Sequence, residues 1–201
     1  FASKAFLVVA ALLVPGSTLH LPAVGLNPTR VGALTVLRRM GALIDEGEVA
    51  DVAGEPRGTL IARASALVGT VIGADEVPAT IDELPILAVA AALASGETRL
   101  TGAAELRVKE SDRLAAIEQL RLLGVAIATT PDGFVIDGQA GRPLASGRIV
   151  SHGDHRIAMA FAVAGLVTPG GVVIDGADCV DVSFPGFFEG LATLGASVQP
   201  A

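Results

Sequence analysis

Residues 84–101 read LPILAVAAALASGETRLT, an apolar segment that ends at a Ser-Gly turn and continues into a short alternating run. Two further segments of this kind begin near Ala5 and near Arg156. Each copy then continues to a second helical segment that ends at a glycine. That glycine follows the turn glycine by 25, 28 and 25 residues, from Gly16 to Gly41, from Gly96 to Gly124 and from Gly170 to Gly195. A spacing this regular indicates a threefold internal repeat.

Each copy predicts the order helix, strand, helix, strand. The glycine after each second helix suits a left-handed C-cap, and the run after it has the alternation of a strand. The repeat divides a single domain, residues 1–201, into units of about 1–70, 71–140 and 141–201. The first unit has no opening strand, which suggests that residues are missing upstream of it. The additional predicted strands are Gly58–Arg63, Gly133–Asp137 and Gly147–Ser151.

The first helix of each unit is apolar on nearly every face, as in Ala5–Val14, Ile86–Leu93 and Ile157–Val167, so we expect it to be buried. The second helices carry arginine on one side and are amphipathic. This pattern predicts an α/β fold, a pseudo-threefold prism of βαβαββ units with buried helices inside and sheets outside. The sequence contains neither GxGxxG nor GxxxxGK[ST], which argues against a doubly wound nucleotide-binding sheet.

The composition excludes several classes of protein. With 51% hydrophobic and 17% charged residues, the 201-residue chain is far from disordered. A net charge of −7 argues against general nucleic-acid binding. The single cysteine, Cys179, excludes a disulfide framework, and no apolar run is long enough to predict a membrane span. Lys4 and the apolar residues after it are compatible with a signal peptide, but the repeat favours a buried helix ending at Pro15.

Polar clusters occur at matching places in the units, where the helices begin. If the units are related by a pseudo-threefold axis, these clusters converge on one face. Free N–H groups at helix starts attract anions, and arginine or lysine there would strengthen a phosphate or carboxylate site. The clusters are Asn27–Arg30, Asp82–Pro85, Arg107–Arg113, His152–Arg156 and Asp181–Pro185.

Most of these residues also have a structural interpretation. On a helix, Lys109 and Glu110 would each share a face with Arg113, yet the same segment could be an exposed helix start capped by Ser111 or Asp112. Asp82 suits an N-cap ahead of Pro85, a role compatible with a catalytic one. His155 is interpreted as structural. No third metal ligand accompanies His152 and His155, and no base lies near Ser183 or Cys179.

Taken together, the motifs resemble those of the 5-enolpyruvylshikimate-3-phosphate (EPSP) synthase family. The resemblance covers nearly all of the chain, and the Asp-Glu-Leu-Pro form is similar to the glyphosate-insensitive class II bacterial branch. The motifs that carry it are Asn27-Pro-Thr-Arg30, Asp82-Glu-Leu-Pro85, Leu106-Arg-Val-Lys-Glu-Ser-Asp-Arg-Leu114, Gly153-Asp-His-Arg-Ile-Ala-Met159 and Ser183-Phe-Pro-Gly-Phe187.

The resemblance implies that this is the C-terminal half of a two-domain cytoplasmic transferase of the shikimate pathway and aromatic amino-acid biosynthesis. Such an enzyme moves the enolpyruvyl group of phosphoenolpyruvate to the 5-hydroxyl of shikimate 3-phosphate and uses no metal or cofactor. The implied partners are the two substrates and the missing N-terminal half, with no nucleic acid and no membrane. Alone, the chain is expected to be inactive.

The resemblance also implies roles for individual residues. Asp82 matches the candidate base for the hydroxyl, and Glu110 matches the residue proposed to handle the methylene proton. Lys109 matches a lysine that contacts the shikimate phosphate and shares in proton transfer, while Arg113 and Arg156 match the two arginines that hold phosphoenolpyruvate. Two positions depart from other members: Val182 replaces a lysine and Glu105 replaces an asparagine.

Three alternatives remain at this stage. The chain could be a non-catalytic substrate-binding or assembly domain with the same fold. It could belong to the sister transferase acting on UDP-N-acetylglucosamine, although the Lys-Glu-Ser-Asp-Arg string disfavours this. It could also resemble RNA 3′-phosphate cyclases, which the acidic net charge disfavours.

Overall fold

The computed structural model describes residues 2–52 and 54–199. Phe1, where the predicted apolar N-terminal segment begins, lies outside the described residues, as do the last two positions of the predicted domain. The first part of the chain contains α1 (Ala2–Leu13), β1 (Thr18–Gly25), α2 (Gly32–Arg39), β2 (Leu43–Val52) and β3 (Glu55–Arg63).

The middle part of the chain repeats this order with additions, and the last part repeats only some of it. The middle part contains β4 (Val71–Ile72), α3 (Val77–Thr80), α4 (Leu84–Leu93), β5 (Ser95–Leu100), α5 (Arg113–Ile117), β6 (Ala126–Thr130) and β7 (Gly133–Gln139). The last part contains β8 (Gly147–Val150), α6 (His155–Leu166), β9 (Val172–Asp175), α7 (Val180–Ser183) and α8 (Phe187–Thr193). Short 3₁₀ helices cover Pro28–Arg30, Ala104–Val108, Glu118–Leu123 and Ala177–Cys179.

The three predicted core helices are α1, α4 and α6, and they pack against one another at the centre of the molecule. Every residue of α4 is buried, which is the burial expected of a helix that is apolar on all faces. Four of its ten residues are alanines, which allow its neighbours to approach closely. The prediction of buried helices inside and sheets outside is confirmed.

The sheets show how far each part of the chain matches the repeat. The middle part forms a mixed four-stranded sheet in the order β4-β5-β7-β6, with β4 parallel to β5 and the other pairs antiparallel. The first part forms an antiparallel sheet, β1-β3-β2, without a counterpart of β4. The last part forms a parallel pair, β8-β9, without described counterparts of β6 and β7.

The repeat-closing glycines adopt the predicted left-handed conformation, with φ of +91° at Gly41, +84° at Gly124 and +99° at Gly195. The first two are followed by β2 and β6, as predicted. The strand predicted after Gly195 is wrong, since residues 196–199 are irregular. Alternating sequence alone does not make a strand, because the backbone groups need a neighbouring strand with which to pair.

An open groove of about 1670 Å³ lies between α1 and β1 on one side and α6, β9 and α8 on the other. Of the helices described, none has both the length and the apolar character needed to span a bilayer.

Candidate functional site

Three of the five predicted polar clusters, Asp82–Pro85, Arg107–Arg113 and His152–Arg156, meet at Arg113. Its side chain is fully buried, and its Nη2 lies 2.5 Å from Glu110 Oε2. Its Nε lies 2.8 Å from Asp154 Oδ2, and its Nη1 lies 3.5 Å from Asp82 Oδ1. We refer to Asp82, Glu110, Arg113, Asp154 and Arg156 as the arginine cluster. It combines residues of the middle and last parts of the chain.

Arg113 is fixed where α5 begins. Asp112 is the N-cap of this helix, and its carboxylate accepts a hydrogen bond from the Ala115 amide at 3.0 Å. Of the two interpretations of this segment, the helix start capped by Asp112 is confirmed, because Lys109 and Glu110 both precede the cap. Glu110 still reaches Arg113, whereas Lys109 forms an ion pair with Glu105 and is not part of the cluster.

Asp154 is the N-cap of α6 and the most buried carboxylate of the cluster. Its Oδ1 accepts from the amides of Arg156 at 2.9 Å and Ile157 at 3.4 Å. Its Oδ2 accepts from the Ser111 hydroxyl at 3.1 Å and from Arg113. Burial raises the pKa of Asp154, but the hydrogen bonds and charge of Arg113 outweigh it and hold this pKa below 3.8.

Arg156 approaches Asp82 from the start of α6. Its Nη1 donates to the Asp82 carbonyl at 2.9 Å, and its Nη2 lies 3.3 Å from Asp82 Oδ2. The Asp82 carboxylate thus lies between two guanidinium groups while remaining about half exposed. Asp82 does not cap α4, which corrects the structural interpretation. The residues before α4 already turn helically, so Glu83 occupies the cap position and makes no side-chain cap bond.

Glu83 is a member of the site region that sequence reasoning missed. It directly follows Asp82 in the chain, and only 4% of its surface is exposed. Burial raises its pKa to about 7, with a further contribution from the charge of Asp82 and an opposing one from Arg156. No sequence signal marks it, because glutamate before a helix is normally exposed.

The remaining predicted candidates lie outside the cluster, in varied settings. His155 is half-buried at the start of α6, and burial together with the charge of Arg156 lowers its pKa below 6.5. Burial raises the pKa of the Cys179 thiol, which argues against a reactive thiolate. Arg30 ends a 3₁₀ helix capped by Asn27. Val182 is exposed at the surface.

The chemistry available to the cluster follows from its exposure. Asp82 and Glu110 each keep about half of their side-chain surface in solvent, whereas Arg113 and Asp154 are buried. Two accessible carboxylates can exchange protons, and the guanidinium of Arg156, which keeps 14% of its side-chain surface exposed, can bind an anion. The groove between α1 and α6 is lined by none of the five cluster residues. Within residues 2–52 and 54–199, no group of three or more His, Cys, Asp or Glu is placed to hold a metal ion.

Comparison with known sequences gives a consistent family. The sequence profile described as EPSP synthase (3-phosphoshikimate 1-carboxyvinyltransferase) matches residues 2–191. A 3-phosphoshikimate 1-carboxyvinyltransferase from Desulforudis audaxviator is 53% identical over 96% of this chain and 44% of its own length. One from Xanthomonas axonopodis pv. citri is 55% identical over 100% of this chain and 45% of its own length. The chain therefore spans under half the length of these relatives.

Solved structures agree with this comparison. The EPSP synthase from Acinetobacter baumannii superposes with a TM-score of 0.95 at 42% identity, covering 98% of this chain and 46% of that one. The enolpyruvyl transferase NikO from Streptomyces tendae superposes with a TM-score of 0.80 at 19% identity, covering 98% and 43%. At that identity, the second similarity establishes the fold alone.

Proposed function

The chain belongs to the EPSP synthase (3-phosphoshikimate 1-carboxyvinyltransferase) family, and we propose that it supplies half of such an enzyme. The complete enzyme would transfer the enolpyruvyl group of phosphoenolpyruvate to the 5-hydroxyl of shikimate 3-phosphate and release phosphate. The observation that carries this proposal is the meeting of Arg113 and Arg156 at one half-exposed carboxylate, Asp82. The reaction of two anions requires both features, positive charge to bind them and a base between them.

The proposed roles follow from the geometry of the cluster. Arg113 and Arg156 would hold the phosphate and carboxylate of phosphoenolpyruvate, because guanidinium groups bind such anions in a bidentate manner. Asp82 would accept the proton of the 5-hydroxyl as its oxygen bonds to C2 of phosphoenolpyruvate. Glu110 would deliver a proton to the methylene carbon and give a tetrahedral adduct. Glu110 would then take a proton back from the methyl group as the C2–O bond to phosphate breaks, which restores the double bond, and Asp82 would return its proton to the released phosphate.

Lys109 has a different setting from the other candidates. Its ammonium group pairs with Glu105 at the surface, outside the arginine cluster. We propose that it binds the phosphate of shikimate 3-phosphate when that substrate is present, with Glu105 as the partner it gives up. An exposed ion pair of this kind contributes little to stability, so its exchange for a substrate phosphate costs little.

We further propose that residues 1–201 form one domain of three repeat units, and that the remaining length of the family supplies the rest of the site. The strand edges support this arrangement. Among the residues that the structure describes, the first part of the chain has no counterpart of β4, and the last part has none of β6 and β7. The groove beside β1 and β9 provides the space that such strands would fill. A cytoplasmic location stays a prediction.

Binding of phosphoenolpyruvate to this chain tests the proposed site directly. We expect a titration of the ¹⁵N-labelled chain to shift the backbone amides of residues 110–113 and 152–157. Arg156→Lys should weaken the binding, whereas Arg99→Lys should not, because Arg99 pairs with Glu97 on β5. Shifts confined to the groove, or equal binding by both variants, would contradict the proposal.

A further inference from the structure

We propose that Asp154 is the positioning residue that orients both arginines of the cluster toward the substrate, an inference that rests on the proposed function. The Asp154 side chain is fully buried, and both of its oxygens already accept hydrogen bonds from protein groups, namely Ser111, Arg113 and the Arg156 amide. It would therefore act through Arg113 and Arg156 and not on the reacting atoms.

The three nitrogens of the Arg113 guanidinium are directed at three different carboxylates. Asp154 Oδ2 takes the Nε–H at 2.8 Å, and Oδ1 lies 3.4 Å from Nη2. The two terminal nitrogens are left directed at Glu110 and Asp82. Because the guanidinium is planar and rigid, fixing its Nε edge also fixes the direction of the opposite edge.

The position of Arg156 depends on the same Asp154 carboxylate. Asp154 Oδ1 accepts the backbone amide of Arg156 at 2.9 Å and caps α6. The Arg156 side chain leaves the helix at this capped turn and reaches Asp82. A single carboxylate thus sets the start of α6 and the plane of the Arg113 guanidinium, and with them the separation of the two arginines.

The charge of Asp154 is also maintained. A buried carboxylate is stable as an anion only when it is fully hydrogen-bonded and paired. The pKa of Asp154 is held low, largely by Arg113 in opposition to burial, and Ser111 supplies a further donor. The residue is ionised throughout the neutral range, so the arginine plane stays fixed there.

The test compares Asp154→Asn with Asp112→Asn in the chain. Both aspartates are helix N-caps, and asparagine caps equally well, so both variants keep their caps. Only Asp154→Asn removes the carboxylate that pairs with the Arg113 guanidinium, because the Asp112 carboxylate pairs with Arg107. We expect phosphoenolpyruvate to bind Asp154→Asn about 10- to 100-fold more weakly than the wild type, and Asp112→Asn within about twofold of it.

A second measurement separates positioning from a loss of stability. In ¹H–¹⁵N spectra, the Arg113 Nε–H should exchange slowly with water in the wild type and in Asp112→Asn, and quickly in Asp154→Asn. Should Asp154→Asn fail to fold, Asp154→Glu keeps the charge but displaces it by one methylene. It should keep the Nε–H slow and still weaken binding.

The outcomes distinguish the two proposals. Unchanged binding and a slow Arg113 Nε–H in Asp154→Asn, or unchanged binding in Asp154→Glu, would overturn the positioning role. Absence of any phosphoenolpyruvate binding by the wild type would instead overturn the proposed function, and the inference with it.

Discussion

The Nε of Arg113 lies 2.8 Å from Oδ2 of Asp154, although the two residues are 41 positions apart and both side chains have no exposed surface. This ion pair joins the start of α5 to the start of α6. It is the structural centre of the candidate site, because Ser111, Glu110 and Arg156 are positioned around it.

The buried ion pair predicts a large loss of stability when one partner is removed. Arg113→Met would leave Asp154 buried without its compensating charge, which typically costs about 3–5 kcal/mol. Urea unfolding of the chain measures this difference. Arg99→Met, which breaks an exposed pair with Glu97, should change the free energy of unfolding by less than about 1 kcal/mol. A loss at Arg113 no larger than at Arg99 would contradict the prediction.

Glu83 predicts a pH dependence of stability. Its pKa rises from 4.5 to about 7 on folding, so the folded state holds a proton that the unfolded state has released between these values. Stability is therefore highest below pH 4.5 as far as this group is concerned, and it is lost as the pH rises to about 7. The full change in the free energy of unfolding across this pH range is about 3 kcal/mol.

Glu83→Gln removes this contribution and serves as the measurement. The variant should be more stable than the wild type near pH 8 and should match it near pH 4, as judged by thermal unfolding at both values. An equal difference at the two pH values would show that the substitution acts through packing and not through ionisation.

Two glycines, the left-handed Gly124 and the helical Gly190, predict opposite effects of substitution by alanine. At Gly124, with φ of +84°, an added Cβ meets only ordinary contacts, so the cost is backbone strain of about 1–2 kcal/mol. At Gly190, inside α8, a Cβ meets nothing within 4 Å, and alanine should stabilise the helix by roughly 0.5–1 kcal/mol. Chemical denaturation measures the free energy of unfolding of both variants. A change of the same sign at both positions would contradict the prediction.

His155 predicts a further titration. Burial and the charge of Arg156 lower its pKa, so the ring is neutral at pH 7 and adds no charge to the arginine cluster. The ¹H resonance of its Cε1 should titrate with a midpoint below 6.5. A midpoint above that value would mean that Asp154 and Glu110 dominate the ring's environment.

Much of the fold could be predicted because the threefold repeat is recognisable from the spacing of apolar segments and glycines in the sequence. The core helices, β9 and the left-handed glycines depend on local pattern: apolar faces, β-branched runs and the absence of a Cβ. The strand expected after Gly195 fails because a strand depends on a partner elsewhere in the fold. The sequence left two interpretations of the segment around Lys109, and the helix start capped by Asp112 is confirmed because this cap determines where α5 begins.

The candidate site was predictable in part for similar reasons. Asp82, Glu110, Arg113 and Arg156 were identified from their motifs, and the structure brings these four together. Their proposed roles stay predictions. The burial of Asp154 and Glu83 could not be inferred, since each is a polar residue before a helix and its environment comes from packing between distant segments.

The most direct test of the account measures phosphate release from phosphoenolpyruvate and shikimate 3-phosphate. The chain is assayed alone, with the N-terminal half of a family member, and as Asp82→Ala or Asp51→Ala in that mixture. Asp51 is the control because it lies in the exposed β2–β3 hairpin. We expect release only in the mixture, retained by Asp51→Ala and lost by Asp82→Ala. Absence of release from a mixture in which both halves are folded and associated, or full release with Asp82→Ala, would contradict it.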